Sequence, residues 1–409
     1  MKNDPSPANA LALARILAVE PRWTAVRPAS EAVGLPDKVL LHAGPPLPDP
    51  KSPPPPMLNS AVLACLYEGW AKDDAQAERL IASGEVKLEP SFTRRVSTPL
   101  VSMVSARTTL AVIGDETSNA TWFSFLGTGG GAQMRFGARD RAIIDRLAFR
   151  ERELLPGFTE LLAEPVDLLS IARSALSEGD DLHNRLSSAT AVLHAVLGTR
   201  KAESLAAQAA LRTVLEAPLY FLNFWMPACA LMLDAAAGEK GSSIVTQLCA
   251  NGQVTGIQIA GLPDRWFTAP AAPVAGPFMK GLAIPDPQFP PATGDSGIID
   301  AFGLGGQVLR RAPTLQVAFE PWLATDDDAR ALSMVCTKHP VLGVDVGLDA
   351  AAVAGGGKSP LLSTGMVDSH GRGLLGRGLC AMPVTLFEQA VAALPNSLAG
   401  ARLAEPRRS

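Results

Sequence analysis

Charge is scarce in this chain and has no dominant sign: 19% of its 409 residues are Asp, Glu, Lys or Arg, with a net charge of −4. Set beside 47% hydrophobic residues, that scarcity excludes extensive disorder. The near balance also removes the broad positive field needed to neutralise phosphates, so no nucleic acid partner is expected. Cysteine is sparse too. Cys65, Cys229, Cys249, Cys336 and Cys380 are odd in number, contain no CxxC pair and sit in mostly apolar surroundings. They exclude a disulfide framework and a zinc site, and read as buried reduced thiols of a cytoplasmic protein. No run reaches about 18 uninterrupted apolar residues. The most apolar stretch, Ala217 to Ala237, contains Asn223, Pro227 and Asp234, so no membrane span is expected. Near the amino terminus the run from Ala10 to Val19 is broken by Arg15 and followed by Glu20-Pro21-Arg22, which reads as an amphipathic helix rather than a signal peptide.

What is present points to a loop-rich α/β chain. With 36 Gly and 34 Pro, many turns separate the elements, and the length suggests two or three domains. The expected class is mixed α/β (α+β) and multidomain: two α/β domains with a small helical domain. The boundaries read as 1–145, an N-terminal α/β domain with a helical hairpin; 146–237, a helix-rich middle; and 238–409, a C-terminal α/β domain. Lys38 to Leu41 reads as a buried strand, Leu58 to Trp70 and Asp74 to Ser83 as the hairpin, and Glu85 to Leu88 as a strand opening. Val96 to Ser105, Thr109 to Ile113 and Trp122 to Leu126 read as strands, followed by helical pattern from Asp140 to about Ala237. Later, Ile244 to Ala250 is helix-like, Thr255 to Ile259 a strand, Leu315 to Phe319 extended, Asp326 to Lys338 helical and Val341 to Val346 a strand. Phe387 to Leu394 reads as a terminal helix before a frayed tail from Leu398.

The densest chemistry lies in Gly179-Asp180-Asp181-Leu182-His183-Asn184-Arg185, between two apolar helical segments. Polar groups placed there must be exposed, mutually bonded or in a site, because burial without partners costs roughly 2–7 kcal/mol each. One reading makes His183 a catalytic imidazole oriented by Asp180 or Asp181, with Asn184 and Arg185 holding substrate. The other makes Asp180 or Ser177 a helix cap and Arg185–Asp181 an ion pair. His42 ends a strand at His-Ala-Gly-Pro-Pro, the kind of edge where open α/β sheets bind ligands. Asn223 is a candidate amide holder. Asp264 and Arg265, on an expected loop beside Trp266, suit a planar carboxylate or amide. Gly127-Thr128-Gly129-Gly130-Gly131 offers backbone N–H groups to an anion, or is a flexible hairpin loop. Arg94-Arg95 is a further anion candidate or a solvated turn. Gly303-Leu304-Gly305-Gly306 is a possible phosphate cradle or a packing device, and Thr364-Gly365 ends a strand before a polar loop. Gly355-Gly356-Gly357-Lys358-Ser359 fails the P-loop spacing, since Ala352 stands where glycine is needed. Asp180, Asp181 and His183 match no diagnostic metal spacing, and neither metal nor cofactor is assigned.

Taken in order, His42-Ala-Gly-Pro-Pro, Gly179 to Arg185, Phe221-Leu-Asn, Asp234-Ala-Ala-Ala-Gly, Gly261 to Pro270, Gly294-Asp-Ser, Gly303-Leu-Gly-Gly and Ser363-Thr-Gly resemble the YlbE-like family over about Leu40 to Pro383. That resemblance implies a multidomain α/β fold, an association with oxamate carbamoyltransferase in allantoin breakdown, and an acyl-CoA-synthetase-like partner subunit. Departures from the family pattern fall at Arg94-Arg95, Gly114 to Asn119 and Asp368 to His370. The implied activity is carbamoyl transfer on a small ureide, oxalurate plus phosphate giving oxamate plus carbamoyl phosphate. Hydrolysis of a carbamoyl or cyclic amide, with Asp181 activating water, and a non-catalytic partner-binding subunit are the alternatives. A homodimer is left open.

Overall fold

The computed structural model describes residues 5–282 and 284–395, so the expected tail from Leu398 lies outside the described residues. The chain forms the mixed α and β class expected of it. Its amphipathic first helix, Pro7–Ala18, starts where Ser6 caps the amide of Asn9 and buries Ala12, Leu13 and Ile16.

Among the described residues the strands follow in chain order: β1 Arg22–Pro28, β2 Val39–His42, β3 Lys87–Pro90, β4 Val96–Ser97, β5 Thr109–Gly114, β6 Thr121–Phe125, β7 Val166–Asp167, β8 Val245–Asn251, β9 Val254–Ile259, β10 Leu262–Pro270, β11 Thr293–Gly294, β12 Val335–Lys338, β13 Asp345–Leu348, β14 Leu361–Val367 and β15 Leu374–Ala381. One sheet has the order β4-β6-β5-β1-β7 and a second the order β10-β9-β8-β11. Parallel pairing occurs in β2–β3 and β4–β6. Consequently the loops after β2, β3, β4 and β6 all leave from carboxyl ends of parallel strands, where α/β sheets place ligands.

The helix Leu222–Asp234 is apolar except for Asn223 and its last residue Asp234, and each residue from Leu222 to Leu233 is buried. Its Trp225 and Phe224 join a core that runs from the first helix to Phe387 in the last, while a second core gathers residues from Ala29 to Leu147 together with Val367. Among the described residues no helix is long and apolar enough to cross a membrane. Cys65, Cys229, Cys249 and Cys380 are buried and Cys336 is half-buried.

Several expected elements form differently. Ile244 to Ala250 is not helical: β8 occupies it, and six of its seven residues are buried, so neither face carries the polar alternation that marks a strand. Asp264, Arg265 and Trp266 lie within β10, which bulges between Leu262 and Phe267, rather than on a loop. Leu315 to Phe319 belongs to the helix Pro313–Phe319, whose first-turn proline marks its start. The helix expected over Asp326 to Lys338 stops at Met334 and becomes β12, and the strand expected at Val341 to Val346 forms later, as β13. Val96 to Ser105 pairs as a strand only at its first two residues. It then turns through Leu100 at φ +49° and regains a single bridge at Val104.

Candidate functional site

The 179–185 segment closes as a compact turn. Asp181 Oδ1 accepts from the amides of His183 (3.0 Å), Asn184 (2.8 Å) and Arg185 (2.8 Å), and Oδ2 accepts from Asn184 Nδ2 at 3.0 Å. Those bonds hold Leu182, buried and at φ +62°, in the left-handed region that costs a branched residue about 1–2 kcal/mol. Asp180 does what the capping reading anticipates: Oδ2 accepts from the amide of Ala189, in the first turn of the helix Ser187–Gly198. Arg185 pairs with Asp180 at 2.8 Å rather than with Asp181. Desolvation holds the Asp180 carboxyl above the ordinary carboxylate range against that cation.

A residue the sequence reading missed completes this junction. Asp300, fully buried in the helix Gly297–Phe302, places Oδ2 2.9 Å from His183 Nδ1. Its Oδ1 accepts from the amide of Gly306 at 2.7 Å and from Ser363 Oγ at 3.1 Å, and Oδ2 accepts from the Ser363 amide at 3.1 Å. Asn184 Nδ2 donates to the same Ser363 Oγ at 2.9 Å. Gly305 donates to the carbonyl of Asp181 at 3.0 Å, and a Cβ there would meet Asp300 Oδ1 at 2.5 Å and His183 Cβ at 2.9 Å. Gly305 and Gly306 therefore wrap a side-chain carboxylate. Asp300 carried no local signal, because it sits in an apolar Ile-Ile-Asp-Ala-Phe run and acquires its partners only from segments remote in sequence.

A second buried junction lies just before the same helix. Asp295 Oδ1 accepts from the amide of Gly44 at 2.6 Å, and Oδ2 from Ser91 Oγ (2.6 Å), the Thr98 amide (2.9 Å) and Thr98 Oγ1 (2.9 Å). It ties together the loops after β2, β3 and β4. Gly44 has φ +89° and approaches Ala250 and Asn251 so closely that a Cβ would lie 2.6 Å from backbone. His42, two residues earlier, is fully buried. Its Nδ1 is 2.8 Å from the carbonyl of Ala43, so in the neutral ring Nδ1 carries the proton and Nε2 holds a lone pair. No partner meets that Nε2 among the described residues.

Thr364 and Gly365 lie along the second junction: Thr364 Oγ1 donates to the carbonyl of Thr293 at 2.8 Å, and Gly365 faces Leu100. Ser363 and Thr364, adjacent on β14, thus serve the two junctions from opposite faces of one strand. Asn223 stands apart from both, accepting from the amide of Gly127 at 3.1 Å and donating to the carbonyl of Tyr220 at 2.7 Å. Gly303, at φ +108°, lets the chain pass against β12 and β13. Asp264 and Arg265 are exposed on β10, with the Arg265 guanidinium 4.8 Å over the Phe267 ring, and join neither junction. Arg94 and Arg95 are both engaged in ion pairs, with Glu89 and Asp234. A cleft of about 860 Å³ opens away from both junctions, lined by Asn9, Ser243, Cys336 and Asp349 among others. Among the described residues no group of three or more His, Cys, Asp or Glu side chains is placed to hold a metal ion.

Burial pushes the His42 imidazole down to about 4, and His339 likewise to about 4. At His339, Nδ1 accepts from the amides of Val341 (3.2 Å) and Leu342 (3.3 Å), and protonation removes that acceptor. Between the ordinary histidine value of 6.5 and about 4 the unfolded chain binds more protons at these rings, so their contribution to stability is lost as pH falls through that window. Asp180, Asp234 and Asp295, raised by desolvation, act in the opposite sense. A comparison of wild type with His339→Gln isolates one ring. The acid-induced loss between those pH values should be smaller in the variant by up to about 3 kcal/mol, read from urea unfolding at several pH values.

Two parallel strand pairs, a helix with Asp300 within it and Asp295 just before it, one for each of two buried junctions, and a neutral histidine at a strand end define a mixed α/β protein with its polar chemistry gathered at carboxyl strand ends. The family described as oxamate carbamoyltransferase subunit AllG matches residues 86–296. "Oxamate carbamoyltransferase subunit AllG" of Escherichia coli (strain K12) is 31% identical over 96% of this chain and 98% of its own length. "Uncharacterized protein YahG" of the same organism is 28% identical over 94% and 84%. A solved structure, a conserved protein of unknown function from Enterococcus faecalis V583, superposes with a TM-score of 0.84 at 27% identity, covering 95% of this chain and 96% of that one. The chain belongs to the AllG family of oxamate carbamoyltransferase subunits.

Proposed function

We propose that this chain is a working subunit of a carbamoyl transferase that converts oxalurate and phosphate into oxamate and carbamoyl phosphate, with its reacting centre at the carboxyl ends of β2, β3, β4 and β6. The observation that carries the reading is His42: buried, neutral and with an unpartnered Nε2 beside the Asp295 junction. In the forward direction a hydrogen phosphate oxygen bonds to the carbamoyl carbon, and the bond from that carbon to the oxamate nitrogen breaks. His42 Nε2 takes the proton of the attacking oxygen and returns it to the departing nitrogen. Asp295, holding Gly44, Ser91 and Thr98, fixes the loops around the ring, and Thr364 and Gly365 line the same side. The His183 group acts as a positioning unit: Asp181 is occupied by three amides, Asn184 is engaged with Asp181 and Ser363, and Arg185 pairs with Asp180.

One observation favours a second reading, a subunit that positions a partner's catalytic groups, since the 860 Å³ cleft opens away from both junctions. The test is a carbamoyl phosphate assay on the purified chain, alone and copurified with its acyl-CoA-synthetase-like partner. Phosphate-dependent consumption of oxalurate is the expected result. Ammonia release independent of phosphate would replace transfer with hydrolysis, and turnover confined to the complex would favour the positioning reading.

A further inference from the structure

Arg135 is 7% exposed, and among the described residues no hydrogen bond or ion pair reaches its guanidinium; its Nε is buried without an acceptor. Its recorded contact is with the ring of Phe136, 4.6 Å away. Neighbouring arginines are provided for. Arg146 donates to the carbonyl of Thr128 and lies 3.6 Å from Glu216, and Arg150 pairs with Glu151 at 2.7 Å. Arginine keeps its proton where lysine or histidine would shed one, so burying it alone leaves a charge that only an anion can balance. Even the desolvation at this position, which lowers its pKa to about 10, leaves it cationic at neutral pH.

The surroundings are those of an anion site. Tyr220 interacts electrostatically with Arg135 and donates its hydroxyl to the carbonyl of Gly127 at 3.0 Å, placing the guanidinium beside the glycine-rich loop after β6. Gln133 Nε2 bonds the carbonyl of Gly129 and holds the loop over the short turn that carries Arg135. The amide of Gly130 donates to Glu216 Oε2 at 3.2 Å, those of Thr128, Gly129 and Gly131 have no acceptor among the described residues, and the chain rises to the surface at Gly131. Gly129 and Gly131 adopt φ +83° and +76°, which leaves backbone N–H groups unshielded by a Cβ. On the far side, the amide of Val101 donates to the carbonyl of Arg135, and the adjacent Ser102 Oγ is buried without a partner.

We propose that Arg135 and the backbone amides of Thr128, Gly129 and Gly131 bind a small oxyanion, the phosphate or the carboxylate on which carbamoyl transfer operates. The inference rests on the transfer reading only for this choice of anions. Inorganic phosphate and oxamate, each against a chloride control, are the probes, followed by thermal shift and by hydrogen exchange of the wild-type chain. Either anion is expected to slow exchange in peptides spanning residues 127–135 and to raise the melting temperature by a few degrees. Response to phosphate alone assigns the phosphate end, response to oxamate alone the carboxylate end, and response to both a shared site. Arg135→Met should weaken that binding about tenfold or more, and raise the melting temperature of the anion-free protein by relieving the unpaired charge. Unchanged exchange with both anions, or a full thermal response in Arg135→Met, overturns the site. A variant less stable without anion than the wild type also overturns it. Wild-type binding without any turnover would remove the transfer reading and leave the anion site standing.

Discussion

His42→Asn is expected to lower carbamoyl-transfer turnover by about 10²–10⁴-fold, the range typical of a positioned acid–base group, while the unfolding free energy changes by only about 1 kcal/mol. Asparagine keeps a donor near the carbonyl of Ala43, to which Nδ1 now bonds, and removes Nε2, which no group among the described residues uses. Turnover and stability are thus separable at this position. Steady-state kinetics beside urea unfolding of the same preparation decides the matter, and a parallel loss in both would mark His42 as a packing residue. The Asp295 junction should stay intact in the variant, because its four donors come from Gly44, Ser91 and Thr98 rather than from the ring.

Asp300→Ala is expected to destabilise the fold by about 3–5 kcal/mol, the usual loss when one member of a buried charged group is removed. Three donors, the Gly306 amide and the Ser363 amide and hydroxyl, lose their acceptor together, and His183 Nδ1 loses its neighbour at 2.9 Å. Asp300→Asn retains one acceptor oxygen and should lose clearly less. Chemical denaturation of both variants, with a double-mutant cycle against His183→Ala, measures the coupling. Additive losses would show that the imidazole and the carboxylate are merely close. If the junction only positions β14 and the Gly305-Gly306 turn, its variants should lower turnover in step with the folded fraction rather than beyond it.

Much of this was legible in one dimension. The helical hairpin, the strand ending at His42, the helix after Arg185 and the second strand of the β8–β9 pair follow from periodicity and turn chemistry, which are local properties. Density of polar residues singled out 179–185 as exposed, mutually bonded or in a site, and the turn is mutually bonded; capping of the next helix was read for Asp180 or Ser177, and it is Asp180 that accepts from Ala189. The failures share a physical cause. β8 is buried on nearly every side, so its pattern resembles a buried helix. Asp264 and Arg265 read as loop residues, yet they stand exposed on a bulged strand.

Composition and spacing determined that this is a folded chain of mixed α and β elements, without a zinc or disulfide framework legible in its cysteines, with polar chemistry concentrated in a few short motifs. Only the tertiary structure decided which of those motifs meet. Asp295 and Asp300 lie 251 and 117 residues in sequence from Gly44 and His183, the groups they touch. No local rule makes an aspartate in an apolar helix the centre of a junction; remote amides and hydroxyls must converge on it. Arg135 makes the same point in reverse, since a lone guanidinium is unremarkable in sequence and becomes informative only when burial removes water and no carboxylate among the described residues pairs with it.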